Sequence, residues 1–166
     1  HPLMVEAKEK GIPVTSSTSY VLQHCPATTI GVTGSCGKTM CTALIAEFLK
    51  AEFGEERVHE GGNDRVPRLD LLGKIGKEDF VVLEISSFQL IDCPASPNVA
   101  VVLNISPNHL DWHKDMEEYV EAKRQIVANQ SRTSLRDVQH ATEWRATNDI
   151  AVLNKNDPIV RSEEHT

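Results

Sequence analysis

The residues best suited to chemistry lie in a short glycine loop, residues 34–39, with the sequence GSCGKT. Its two glycines let the backbone turn so that successive amide groups can point at phosphate oxygens beside a helix N-terminus, where anions are favoured. Lys38 adds a positive charge, and the Thr39 hydroxyl is a ligand type suited to Mg2+. The pattern predicts a phosphate-binding loop whose candidate residues are Gly34, Ser35, Cys36, Gly37, Lys38 and Thr39.

This loop departs from the general nucleotide-loop pattern at one position. The pattern G-x-x-x-x-G-K-[ST] requires a glycine where this chain has Val32, which indicates a subfamily of such loops. The alternative is a simple strand-to-helix turn with an exposed lysine. An apolar segment before the loop and helical spacing after it favour phosphate binding over that alternative.

A carboxylate is expected beside the loop. Glu84 follows the apolar run Phe80–Leu83, so it should lie at the edge of a sheet where strand ends meet. A carboxylate there can hold Mg2+ against nucleotide phosphates. The alternative is an ordinary solvated glutamate, and the metal role is favoured because the phosphate loop is present.

Three further groups have candidate roles. His109 and Asp111 follow a third apolar run, where a second metal ion or a nucleotide would lie, although Mg2+ prefers oxygen to histidine nitrogen. His113 is expected to be a surface or structural residue. Lys123 lies three residues from both Val120 and Ile126, which places it near the inner face of a helix; the alternative is that it extends to solvent.

Alternating apolar runs and helical segments must position these groups. We predict an α/β fold, a mostly parallel sheet with flanking helices of the P-loop type, because the runs are continuously apolar, as in strands buried on both faces. Helix 39–53 is expected to bury Met40, Leu44, Ile45, Phe48 and Leu49, and residues 131–148 to form an irregular connection. The predicted strands are 12–14, 28–33, 80–85, 99–105 and 150–154, and the predicted helices are 5–10, 17–24, 39–53, 68–75 and 115–129.

Composition limits the function classes. The 166 residues carry a net charge of -7, which disfavours a general nucleic-acid binder. Four cysteines without a C-x-x-C pair argue against a zinc site and for a reducing compartment. No run is long and apolar enough for a membrane span, and no signal peptide is evident. We expect the protein to be a cytoplasmic monomer that acts on small molecules. We also expect this chain to be a fragment of a longer protein.

Four motifs together resemble the central ATP-binding domain of the Mur ligases. They are the loop segment 31–39, the turn Gly61-Gly62-Asn63, the run Glu84-Ile85-Ser86-Ser87-Phe88-Gln89-Leu90 and the segment 104–111. The resemblance covers residues 1 to about 130 and resumes at 149–158. The Ser-Ser-Phe-Gln-Leu run resembles the corresponding run in the branch of the family that adds D-glutamate to UDP-N-acetylmuramoyl-L-alanine.

The resemblance implies a reaction and a set of roles. ATP phosphorylates the carboxylate of UDP-MurNAc-L-Ala, and the amine of D-glutamate attacks the acyl phosphate. Lys38 and the loop hold the phosphates. Two Mg2+ ions are implied, the first held by Thr39 and Glu84, the second by His109 and by Lys123, which matches a lysine that the family carbamylates. Asn63 and Ser86 are the implied substrate-binding residues.

The resemblance also implies domain limits and departures. Residues 1–27 correspond to the end of an N-terminal UDP-binding domain and its linker, residues 28–166 to an incomplete central domain, and a C-terminal ligase domain is absent. Cys36 replaces a frequent asparagine, and Asn108 a frequent aspartate. Because the domain that would place D-glutamate is absent, the chain alone is expected to have little turnover. The alternatives are another Mur-type or folylpolyglutamate-type ligase, an ATP-binding module without turnover, and a structural module.

Overall fold

A computed structural model describes residues 2–62, 68–108, 111–130 and 149–162. Their core is a five-stranded sheet in the order β2-β3-β1-β4-β5, in which every neighbouring pair is parallel. The strands are β1 Thr28–Thr33, β2 Val58–Gly61, β3 Phe80–Glu84, β4 Val99–Val102 and β5 Ile150–Leu153. The helices are α1 Pro2–Glu9, α2 Ser17–His24, α3 Lys38–Phe53, α4 Arg68–Leu71, α5 Ser87–Leu90, α6 Met116–Ala128 and α7 Pro158–Ser162, with a 3-10 turn at Glu55–Arg57.

The sheet is covered on both faces, which explains why β4 is entirely apolar and β3 is apolar up to Glu84, whereas β1 combines apolar residues with three threonines. One face packs α3 over a cluster that includes Ile30, Val32 and Val82. The other packs α6 through Tyr119 and Ile126 against a second cluster. Side chains alternate between faces along a strand, so both sets of residues must be apolar. The predicted α/β class with a parallel sheet is confirmed.

Most predicted elements are present, but one predicted strand is absent and two predicted elements are shorter than expected. The strand predicted at residues 12–14 is wrong: Ile12 and Val14 are about half exposed, and Pro13 has no N–H to donate to a ladder. The helix predicted over 68–75 ends at Leu71, before Gly73 and Gly76. The strand predicted over 99–105 ends at Val102, because the backbone then turns toward the phosphate loop. The irregular segment 131–148 lies outside the described residues.

The predicted buried face of α3 is only partly correct. Ile45 and Leu49 pack toward the sheet, as expected, with Ala46 fully buried beside them. Met40, Leu44 and Phe48 are instead 73%, 52% and 73% exposed. Residues 40, 44 and 48 form one row of the helix, turned by about 200° from residues 42 and 46, which face the sheet. The apolar spacing alone could not distinguish the two rows.

No helix among the described residues is long and apolar enough to cross a membrane.

Gly31 provides a test of the packing on the central strand. A Cβ atom at this position would lie 2.7 Å from Pro97 Cγ and 3.0 Å from Ile85 Cδ1. We expect Gly31→Ala to lower the free energy of unfolding by about 1–3 kcal/mol, because the close-packed surroundings must move. Urea unfolding measures this change. Gly73→Ala is the matched control, since a Cβ atom there would have no neighbour within 4 Å; equal losses in both variants would contradict the prediction.

Candidate functional site

The carboxyl ends of β1, β3 and β4 meet at one edge of the sheet. Val32 of β1 is in register with Glu84 of β3, and Thr33 with Val102 of β4. The loop that follows β1 therefore lies between the end of β3 and the segment that follows β4. This is the position where ligands bind in open α/β sheets.

The glycine loop has the geometry that phosphate binding requires. Gly37 adopts φ 84° and ψ 0°, a left-handed conformation that favours glycine, directly before the first turn of α3. Gly34 passes close to the next segment, because a Cβ atom there would lie 3.0 Å from Leu103 Cβ. Lys38 Nζ donates to the Gly34 carbonyl at 3.1 Å, which holds the ammonium over the loop. The 16-residue helix α3 points its N-terminal amides at the same space.

A second segment holds the loop in place. The Asn104 side chain accepts a hydrogen bond from the Cys36 amide at 3.0 Å and donates to the Cys36 carbonyl at 2.9 Å. The Ser35 amide donates to the Asn104 carbonyl at 2.8 Å, and the Ser106 amide donates to Ser35 Oγ at 2.9 Å. These bonds fix both residues at the tip of the loop from the β4 side.

Oxygen ligands of the type that Mg2+ prefers meet beside the loop. Thr39 Oγ1 donates to Glu84 Oε2 at 2.8 Å, and Glu84 is only 7% exposed. A hydroxyl and a carboxylate oxygen suit a hard cation that also binds nucleotide phosphates and water. Within the described ranges, no three His, Cys, Asp or Glu residues form a metal-binding group.

Lys123 lies inside the protein rather than extending to solvent. It is 2% exposed, and its Nζ donates to the Gly34 carbonyl at 3.1 Å and contacts Thr33 Oγ1 at 3.4 Å. The ammonium also lies 4.6 Å from the centre of the Tyr119 ring. Burial, with a smaller contribution from the charge of Lys38, lowers the pKa of Lys123 to about 7.

The lowered pKa of Lys123 predicts a specific pH dependence of stability. Between about 7 and its ordinary value of 10.5, the folded chain binds fewer protons at this group than the unfolded chain, so stability rises with pH across that window. Below it, the folded state bears the full cost of a buried charge. We expect Lys123→Met to stabilise the metal-free chain relative to the unsubstituted chain more at pH 6 than at pH 9, measured by denaturant unfolding. Lys114→Met is the control, because that side chain is 84% exposed. If the stability difference between Lys123→Met and the unsubstituted chain did not change with pH, the lowered pKa of Lys123 would be refuted.

The turn after β3 places Ser86 and Ser87 at the same edge. Ser86 precedes α5, and its amide donates to Gln89 Oε1 at 2.9 Å. Ser86 is partly exposed, whereas Ser87 is buried and its Oγ lies 2.8 Å from Nε2 of His113. The predicted substrate residue Ser86 therefore lies two residues after Glu84 and is partly exposed. Of the two positions expected for His113, surface or structural, its exposure of 2% excludes the first.

Two predicted residues, Asn63 and His109, lie outside the described residues. Asp111 is exposed in the turn before α6.

The sequence reasoning missed three residues that hold the loop: Asn104, Ser106 and Tyr119. The first two are polar residues directly after an apolar strand, a signal that could have identified them; the spacing of Tyr119 indicates only that it fills the core.

Comparisons with known proteins show which family this chain resembles. The sequence model of the Mur ligase middle domain matches residues 32–165. A protein of Clostridium acetobutylicum named UDP-N-acetylmuramoylalanine–D-glutamate ligase is 41% identical over 162 residues, which is 94% of this chain and 35% of that protein. Proteins of the same name from Clostridium kluyveri and Clostridium botulinum are 42% and 40% identical over 97% and 99% of the chain. The chain spans about a third of the length of the curated relatives it matches.

Proposed function

Because the chain belongs to the Mur ligase family through its middle domain, we propose that its full-length parent uses ATP to join D-glutamate to UDP-N-acetylmuramoyl-L-alanine. The observation that carries the proposal is the joint position of Lys38, Thr39 and Glu84 at the head of α3, with Thr39 and Glu84 hydrogen-bonded at 2.8 Å. The names of the relatives, 40–42% identical to this chain, support the choice of substrate.

The residues of the loop would hold the nucleotide during phosphoryl transfer. Loop amides and Lys38 bind the phosphates, and Lys38 offsets the charge that arises as the γ-phosphoryl group approaches the anionic acceptor carboxylate. The transfer leaves ADP and an acyl phosphate. The D-glutamate amine then attacks the acyl carbon and forms the C–N bond, the amine loses a proton, and the C–O bond to phosphate breaks so that inorganic phosphate leaves with the bonding electrons.

Thr39 and Glu84 would hold one Mg2+, and His109 with Lys123 a second. When bound, Mg2+ would neutralise part of the negative charge of the phosphates. Lys123 would carry the carbamate that the family resemblance implies: its neutral amine adds to CO2, forms a C–N bond and releases a proton. Its pKa of about 7 supports this, because a substantial fraction of the amine is neutral near physiological pH.

The remaining assignments follow from the same proposal. Asn63 and Ser86 would contact the muramoyl acceptor. Residues 1–27 would end the UDP-binding domain and residues 28–166 would lie in the central domain. The parent would act as a cytoplasmic monomer on small molecules, in the synthesis of peptidoglycan precursor that cell shape and division require.

The test is amide formation by the purified full-length parent with UDP-MurNAc-L-Ala, ATP and a panel of amino acids. We expect D-glutamate to be the preferred amino acid, with one ADP released per amide bond. Preference for another amino acid or acceptor would indicate a different Mur-type or folylpolyglutamate-type ligase. Binding of Mg-ATP without acceptor-dependent phosphate release would indicate a nucleotide-binding module.

The 166-residue chain on its own is expected to show little or no turnover in the same assay. Its relatives are about three times as long, and the family resemblance implies that a separate C-terminal domain receives the amino acid. Orientation of the two reactants contributes much of the rate of such a reaction. Parallel assays of chain and parent at equal concentration measure the difference, and comparable rates would overturn the prediction.

A further inference from the structure

Tyr119 connects α6 to the tip of the phosphate loop. It is 1% exposed, and its hydroxyl lies 2.9 Å from Ser35 Oγ. Ser35 Oγ also contacts the Ser106 carbonyl at 2.9 Å and accepts from the Ser106 amide at 2.9 Å. If Ser35 donates to the Ser106 carbonyl, its one proton is used, and its remaining lone pair accepts from Tyr119. The tyrosine hydroxyl thus completes the hydrogen bonding of Ser35.

His113 connects the same tyrosine to the turn after β3. Its side chain is fully buried, and its Nε2 lies 2.8 Å from Ser87 Oγ. The ring stacks on Phe88 with centroids 5.5 Å apart and planes 5° apart. It also meets the Tyr119 ring edge-on, with centroids 5.2 Å apart. One buried pair of rings therefore contacts both the phosphate loop and the turn that carries Ser86.

From these contacts we infer that Tyr119 and His113 are positioning residues that set the phosphate loop against the acceptor-side turn, so that nucleotide and acceptor binding depend on each other. The inference rests on the proposed function, because it takes the turn at Ser86 as the acceptor side. We define this pair as the Tyr119–His113 bridge. Because close-packed interiors transmit strain, we expect a displacement at one end of the bridge to reach the other.

The bridge can be tested by substitutions that each remove one hydrogen bond and keep a ring. In the full-length parent, Tyr119→Phe removes the bond to Ser35 and retains the contacts with His113 and Lys123. His113→Phe removes the bond to Ser87 and retains a ring for stacking. The dissociation constant of a non-hydrolysable ATP analogue is measured with and without UDP-MurNAc-L-Ala, and the ratio of the two constants reports the coupling.

We expect a coupling ratio that differs from one in the unsubstituted parent and moves toward one in both variants. Tyr119→Phe should also weaken binding of the ATP analogue roughly three- to tenfold, the usual consequence of one lost buried hydrogen bond. Ser35→Ala should have at least as large an effect, because it also removes both bonds to Ser106. The double variant should bind no more weakly than Ser35→Ala alone, because Tyr119→Phe removes a bond that Ser35→Ala has already removed.

Ser96→Ala is the matched control. Ser96 Oγ donates to the Gln125 carbonyl and accepts from the Asn129 amide, so it ties the opposite end of α6 through bonds of the same kind. We expect it to lower the melting temperature with no change in either ligand constant. If Tyr119→Phe and His113→Phe behave like Ser96→Ala, or if the unsubstituted parent has a ratio of one, the inference is wrong. A parent that binds the ATP analogue but not the acceptor would contradict the substrate proposal instead, and Tyr119→Phe would still decide the nucleotide end of the bridge.

Discussion

Replacement of Lys38 by alanine in the full-length parent is expected to reduce kcat/KM for ATP by at least about a thousandfold. The ammonium lies 3.1 Å from the Gly34 carbonyl, over the space between loop and helix, where a transferred phosphoryl group would be held. No other cation among the described residues replaces it directly: Lys123 contacts the same carbonyl but is buried with a pKa of about 7. Steady-state rates of ADP release with saturating acceptor measure the effect.

Lys50→Ala serves as the control for Lys38. Lys50 belongs to the same helix but lies near its other end, where it forms ion pairs with Glu47 and Glu60. Its removal should leave kcat/KM for ATP within about twofold of the unsubstituted value, since partly exposed pairs of this kind contribute little. If Lys38→Ala retained full synthesis, the loop would not hold a triphosphate in the manner proposed.

Glu84→Gln is expected to have the second-largest effect, a loss of kcat of roughly 100- to 1000-fold with a higher Mg2+ requirement. Glutamine has nearly the same shape and can still accept the hydrogen bond from Thr39, so the substitution removes chiefly the negative charge. Among the described residues at this edge of the sheet, Glu84 is the one anionic ligand that a cation between the phosphates and Thr39 would have, and the substitution removes it. Titration of activity against Mg2+ measures the shift.

Asp79→Asn is the control for Glu84. Asp79 lies just before β3, at the opposite end of the strand, where it accepts from the Gly76 amide and pairs with His59 at 3.0 Å. The backbone bond from Gly76 and the contact with His59 lower the pKa of Asp79, so its loss should reduce stability. Activity and Mg2+ dependence should remain unchanged at temperatures where the variant is folded. An unchanged Mg2+ dependence in Glu84→Gln would exclude a metal role for that carboxylate.

Much of the sheet could be predicted because β3 and β4 contain continuous apolar runs, residues 80–83 and 99–102, as expected for strands buried on both faces. Residues 28–33 also fold as the expected strand, although three of the six are threonines. Strand β2 was missed: it is a four-residue edge strand with the sequence VHEG, partly solvated, and it carries no such run. Its pairing with β3 depends on a neighbour about 20 residues away in the chain.

The exposed row on α3 shows a second limit of sequence patterns. Met40, Leu44 and Phe48 have helical spacing as regular as that of the residues that pack on the sheet. Spacing identifies a helix because it reflects the period of the backbone. It does not say which apolar row meets the sheet, because that depends on how the loop before the helix sets its rotation about its own axis.

The sequence by itself determined the class of fold and the presence of a glycine turn between β1 and α3, because apolar periodicity and backbone turns at glycine are local properties. Only the tertiary structure decided which side chains share the site. Thr39 and Glu84 are 45 residues apart, and Ser35 and Tyr119 are 84 apart, yet each pair is within hydrogen-bonding distance. Such contacts arise from strand order and helix docking, which no short segment of the chain encodes alone.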